Sequence, residues 1–204
     1  MTTSRYPVPA KWHRKQTEVK RSRFITTVAN TATRESSRSF IQKIRSEFSD
    51  ANHNCWACVI GAPGSTLQAG MSDDGEPHGA AGKPMLTTML HANIGDITVV
   101  VSRYFGGIRL GKGGMVRAYT AAVLDTLATL PTTEKISYQR VDITIPYKLL
   151  EQVEQLYHKY EIVNPQLTYS DLVHIELQLP VEHCDMFNSH LNELSAGGIV
   201  FNKI

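Results

Sequence analysis

The segment from Val99 to Tyr119, VVVSRYFGGIRLGKGGMVRAY, constrains the fold more than any other part of the chain. An apolar, β-branched run, Ile97 to Val101, gives way to a loop with glycines at Gly106, Gly107, Gly111, Gly113 and Gly114. A segment of helical periodicity, Met115 to Leu130, follows. The expected arrangement is strand, glycine-rich loop, helix. Such a loop leaves backbone N–H groups free where the helix dipole is positive, which suits an anion. Arg103, Arg109, Lys112 and Arg117 are spaced through the same segment and would add positive charge. The alternative is that the glycines only permit a tight, closely packed turn. No nucleotide signature is present: Gly111-Lys112 is followed by Gly113 where a P-loop needs Ser or Thr, and the dinucleotide spacing is missing.

The balance of charge is uneven. Residues 1–137 carry 17 Lys and Arg against 10 Asp and Glu, a balance of +7, whereas residues 138–204 carry 4 against 9, a balance of −5. A basic half raises the local concentration of a polyanion, and nucleic acid is the commonest such partner. No apolar run approaches the roughly 20 residues needed to cross a bilayer, so no membrane is expected as partner. Met1 to Lys20 has basic residues with no apolar segment after them, which argues against a secretory signal. Three cysteines, an odd number in 204 residues, argue against a disulfide framework. The expected compartment is the cytoplasm.

The pattern predicts an α+β chain of two domains, residues 1–134 and 135–204. In the first, Glu18 to Val28 reads as a strand, Arg34 to Phe48 as a helix with Phe40, Ile41, Ile44 and Phe48 on one face, and His53 to Ile60 as a second strand. A short strand near Leu67, a helix from about Gly82 to Ala92 and the glycine-rich segment complete a mixed α/β domain. Pro131-Thr132-Thr133 reads as the linker. After it, strand Gln139–Ile145, helix Tyr147–Tyr160, strands Ile162–Tyr169 and Leu172–Leu179, helix Val181–Leu194 and strand Ile199–Ile204 give the order βαββαβ, the ferredoxin-like motif.

Asp73, Asp74, Glu76 and His78 cluster in one loop, which predicts either a turn whose aspartates cap backbone N–H groups or, less simply, a polar or hard-cation site; the spacing is not that of an EF-hand. No resident metal and no cofactor is predicted. Gly79 to Pro84 makes a second glycine-containing entry to a helix, with Lys83 beside its N–H groups. Cys55 and Cys58 have redox-motif spacing but fall inside a strand, where residues three apart face opposite sides, so they read as buried, unbonded thiols.

Four blocks in order, Lys20-Arg21-Ser22-Arg23-Phe24, His53 to Ala57, Ser72 to Pro77 with Ala81 to Pro84, and Val101 to Gly114 with Arg117-Ala118-Tyr119, together resemble the YigZ/IMPACT family. The resemblance implies an N-terminal domain of the kind shared by a small-subunit ribosomal protein and domain IV of elongation factor G. It also implies a ferredoxin-like second domain similar to the last domain of that factor. Eukaryotic relatives act in translational control, so the resemblance implies a translation-associated role. Cys58 departs from the family pattern, and the extra domain of the eukaryotic proteins has no counterpart in this sequence.

The expectation is a non-enzymatic protein that binds RNA, a ribosome or a translation factor through its first domain. Its contacts would come from Arg21, Arg23, Lys83, Arg103, Arg109, Lys112, Arg117 and the glycine loop. The competitors are a small phosphate- or metal-dependent enzyme using the acidic loop, and a protein-interaction module docking through the acidic second domain.

Overall fold

The computed structural model describes residues 4–204, and the chain divides into two units between Lys135 and Ile136. The reading of Met1 to Lys20 extends over residues 1–3, which lie outside the described residues. Among the described residues no helix is long and apolar enough to cross a membrane.

The first unit runs β1 (Arg5–Pro9), β2 (His13–Val19), β3 (Ser22–Asn30), α1 (Arg34–Glu47), β4 (His53–Val59), β5 (Ala69–Ser72), α2 (Gly82–Leu90), β6 (Ile97–Tyr104), α3 (Lys112–Leu127) and β7 (Thr132–Ile136). Its main sheet has the order β2-β3-β6-β4-β5, with all neighbours antiparallel. Alternation sorts the side chains into two cores. Phe24, Val28, Cys55, Ala57, Val99 and Val101 pack against α2 and α3, whereas Ala29 and Val100 pack against Phe40, Ile41 and Ile44 of α1. Helices on both faces explain why β6 reads as an unbroken apolar run. At the start of α1, Thr33 Oγ1 accepts from the N–H of Ser36, and Ser36 Oγ accepts from the N–H of Thr33.

The second unit runs β8 (Tyr138–Ile145), α4 (Leu150–Lys159), β9 (Val163–Tyr169), β10 (Val173–Pro180), α5 (Cys184–Ser195) and β11 (Val200–Lys203). This is the βαββαβ order expected. Its antiparallel sheet has the order β11-β8-β10-β9. Val141, Ile143 and Ile145 of β8 alternate into a core with Ile175 and Leu177 of β10, Val153 of α4 and Phe187 and Leu191 of α5. Each helix opens with a single 3-10 turn, and α5 ends on Ala196 in the left-handed conformation, φ 51°.

Three expectations are corrected. Glu18 to Val28 is not one strand but a hairpin: Val19 pairs with Ser22, and the two-residue turn between them holds Lys20 and Arg21 at φ 46° and 65°. Pro131-Thr132-Thr133 is not a free linker, because Thr132–Ile136 is strand β7, paired with β1. Helix α3 begins at Lys112, not Met115, so Gly113 and Gly114 lie in its first turn.

Candidate nucleic-acid interface

β6 delivers the chain to the glycine-rich loop, and the β2–β3 hairpin lies directly beside it. Arg23 pairs in register with Tyr104, and its guanidinium lies over the Tyr104 ring at 4.6 Å. Gly106 is where the loop meets the hairpin turn. A Cβ there would come within 2.0 Å of the Arg21 carbonyl carbon, and the Gly106 N–H donates to Ser22 Oγ at 3.2 Å. Gly106 is thus a close-packing glycine. Gly107 and Gly111 instead supply positive φ, 84° and 70°, with open space around them.

Gly111 stands at the N-cap of α3, and no side chain caps that end. Arg21, Arg109, Lys112 and Arg117 are exposed and have no ion pair or hydrogen-bond partner among the described residues. Arg109, Lys112 and Gly111 line one cleft with His53, Glu76 and Phe105, of about 520 Å³. Phe105 is 48% exposed at its edge. The combination offers free cations, uncapped amides and an aromatic face, the elements that hold a phosphate backbone with its bases.

Arg103 lines the same cleft but, contrary to expectation, is buried and paired and is no free cation. It is on the same face of β6 as Val99 and Val101, so it turns inward, and its Nη1 donates to Glu76 Oε1 at 2.5 Å. Glu76 also accepts from Tyr119 Oη at 2.9 Å, and Tyr119 in turn accepts from Cys55 Sγ at 3.3 Å. The sequence reading gave Tyr119 no role beyond its place in a family block, although it lies one helical turn beyond the inward-facing Met115. The Cys55 thiol is pushed up to about 12, chiefly by burial, against the Tyr119 hydrogen bond and with help from the nearby carboxylates. It is therefore protonated and inert. Cys58 lies on the opposite face of β4, and both thiols are free.

The acidic loop is held inside the fold. Asp73 Oδ1 accepts from the N–H groups of Ala81 and Gly82 at 3.0 and 2.8 Å, and its Oδ2 from Gly79 at 2.8 Å. Burial pushes this carboxyl up, but the three amides outweigh it and hold it below its ordinary value. Asp73 thus takes up the backbone N–H groups at the start of α2, whose N-cap position is Ala81. The amides expected to be free beside Lys83 are already occupied, and Lys83 lines a different cleft with Pro84, Val116 and Thr120. Asp74 pairs with Arg45 and accepts from the Asn54 N–H at 2.7 Å. His53 Nδ1 donates to the Asp74 carbonyl at 2.8 Å, leaving Nε2 3.9 Å from Glu76 Oε2. His78 is exposed, with Nδ1 3.9 Å from Asp73 Oδ2. These carboxylates serve three separate structural partners instead of converging on one point.

Residues 20–127, from the hairpin turn to the end of α3, match the family model described as the Impact N-terminal domain. The chain is 40% identical over 187 residues to an "IMPACT family member" of Haemophilus influenzae, covering 92% of this chain and 91% of the relative. It is 40% identical over 184 residues to "IMPACT family member YigZ" of Escherichia coli, covering 89% of each. With "IMPACT family member YvyE" of Bacillus subtilis it shares 34% over 179 residues, 88% of this chain and 82% of the relative. A solved structure described as "Crystal structure of an hypothetical protein" superposes with a TM-score of 0.70 at 37% identity, over 99% of this chain and 98% of that one. The matched stretch contains the hairpin turn, the acidic loop and the glycine-rich loop that build this surface, and the relatives extend through both units: the chain belongs to the IMPACT family.

Proposed function

We propose that this protein is a translation-associated regulator that binds RNA, or an RNA-bearing surface of the ribosome or a translation factor, through its first unit, and that it acts in the cytoplasm without catalysing a reaction. The observation that carries this reading is the group of unpaired cations, Arg21, Arg109, Lys112 and Arg117, beside the uncapped start of α3 in the half of the chain with a +7 balance. Contacts of this kind go to phosphate and carry little base preference. The family's resemblance to a small-subunit ribosomal protein and to domain IV of elongation factor G, and the ferredoxin-like order of the second unit, support the same assignment. The enzyme reading has less to rest on, since Asp73, Asp74 and Glu76 are each committed to a partner within the fold.

Co-sedimentation with ribosomes, and release by RNase, tests the proposal. Short-RNA binding should weaken steeply with salt, and each removed contact cation should lower the salt slope by about one unit. Arg109→Glu with Lys112→Glu should abolish binding of a short 5′-hydroxyl RNA while the chain stays folded. Binding by that variant at the wild-type level would overturn the assignment.

A further inference from the structure

On the other face of the same sheet, α1 and the β4–β5 edge enclose another cleft, of about 610 Å³. Clefts of roughly 300–1,000 Å³ are the usual size for small-molecule sites. Arg34, Arg38 and Arg45 line it from one stripe of α1, with Gln42 beside them and Trp56 and Gln68 across from them. We propose that this cleft binds a phosphorylated nucleoside, with the arginines on the phosphate, the indole against the base and the two amides at the base edge.

The helix itself does not account for these arginines. Its buried stripe is Ser37, Phe40, Ile41 and Ile44, so packing does not call for charge at 34 and 38. Arg34 and Arg38, four residues apart, repel each other, and Arg34 opens the helix, where its dipole disfavours a cation. Neither has an ion pair or hydrogen-bond partner among the described residues. Arg45 gives one nitrogen to Asp74, while its Nε is buried with no partner. Gln42 and Gln68 have no side-chain hydrogen bond among the described residues. Arginines held together without partners beside an indole fit an anionic ligand with a flat ring.

A free nucleotide and the terminal nucleotide of an RNA strand share this chemistry. The test is fluorescence titration of the full chain carrying Trp12→Phe, in which Trp56 is the remaining tryptophan. ADP and a short 5′-phosphorylated RNA are the probes, with adenosine and inorganic phosphate alongside. Saturable quenching is expected with ADP, with the RNA, or with both; the tighter of the two identifies the source. Arg34→Ala with Arg38→Ala should weaken binding about tenfold or more without lowering the melting temperature. Equilibrium dialysis of the Arg109→Glu, Lys112→Glu chain with the tighter of the two probes, labelled, should give one site. The Arg109→Glu, Lys112→Glu variant should retain the quench, which separates this site from the RNA surface. Absence of saturation with both phosphorylated probes, equal binding of adenosine or inorganic phosphate, or a quench unaffected by the arginine substitutions would overturn the inference.

Discussion

Nη1 of Arg103 lies 2.5 Å from Oε1 of Glu76, and the two side chains are only 7% and 3% exposed. Removing one partner strands the other's charge away from water. Arg103→Met should therefore cost about 3–5 kcal/mol of folding stability. Arg103→Met combined with Glu76→Gln should recover most of that loss. Urea denaturation of the three chains checks the pair. Equal stability of the single and double variants would show that the charge of Glu76 is not what Arg103 holds in place.

The two neighbouring glycines of the loop should respond differently to alanine. Gly106→Ala drives a methyl into the Arg21 backbone and should cost about 3 kcal/mol, the upper range for overpacking. Gly107→Ala meets no atom and bears only the left-handed backbone penalty, about 1–2 kcal/mol. Thermal melts of both variants rank them. The reverse order would disprove the close approach of loop and hairpin.

Acid should loosen the start of α2 through Asp73. Its folded pKa lies below the ordinary 3.8, so the folded chain binds this proton less readily than the unfolded one. The stabilisation is fully present above the ordinary value and is lost as pH falls through the lower, folded one. Asp73→Asn should remove part of the acid-dependent drop in melting temperature below about pH 4. It should also cost about 2–3 kcal/mol at neutral pH, through hydrogen bonds to a charged acceptor. An unchanged acid limb would mean that other carboxylates govern it.

Cys55 should resist alkylation in the folded chain. With its thiol pushed up to about 12, essentially no thiolate exists near neutral pH, and burial denies access to the reagent. Mass spectrometry after brief alkylation should find Cys55 unmodified in native protein, and all three cysteines modified after unfolding. Native labelling of Cys55 at the rate of an exposed thiol would contradict the packing around Tyr119.

The second unit is legible in the sequence because half-buried strands alternate: Val141, Ile143 and Ile145 announce both the strand and its inward face. The first unit is harder for identifiable reasons. Lys20 and Arg21 turn the hairpin in left-handed conformations without Gly, Asn or Asp, so no local signal separates β2 from β3. β7 is a polar Thr-Thr-Glu-Lys-Ile stretch on a two-stranded ribbon, which carries no apolar period. The burial of Arg103 is not legible either, since both faces of β6 are covered and parity with Val99 and Val101 does not distinguish it. Charge alone does not reveal this, because its partner Glu76 arrives from a distant loop. The capping role of Asp73 follows from composition, whereas the amides that it serves depend on how the loop folds back.

The ribbon of β1 and β7 bears on the order in which the chain can fold during synthesis. Residues 5–9 find their strand partner only at residues 132–136. Asp96, almost fully buried, receives its counter-charge from Lys135, whose Nζ lies 2.5 Å from Oδ2. A nascent first unit therefore has to wait for β7 to leave the ribosomal tunnel before its opening strand is paired and this carboxylate neutralised. Closing so long a loop is slow relative to local pairing. The β2–β3 hairpin can form early, but the unit as a whole is completed at the junction with the next one.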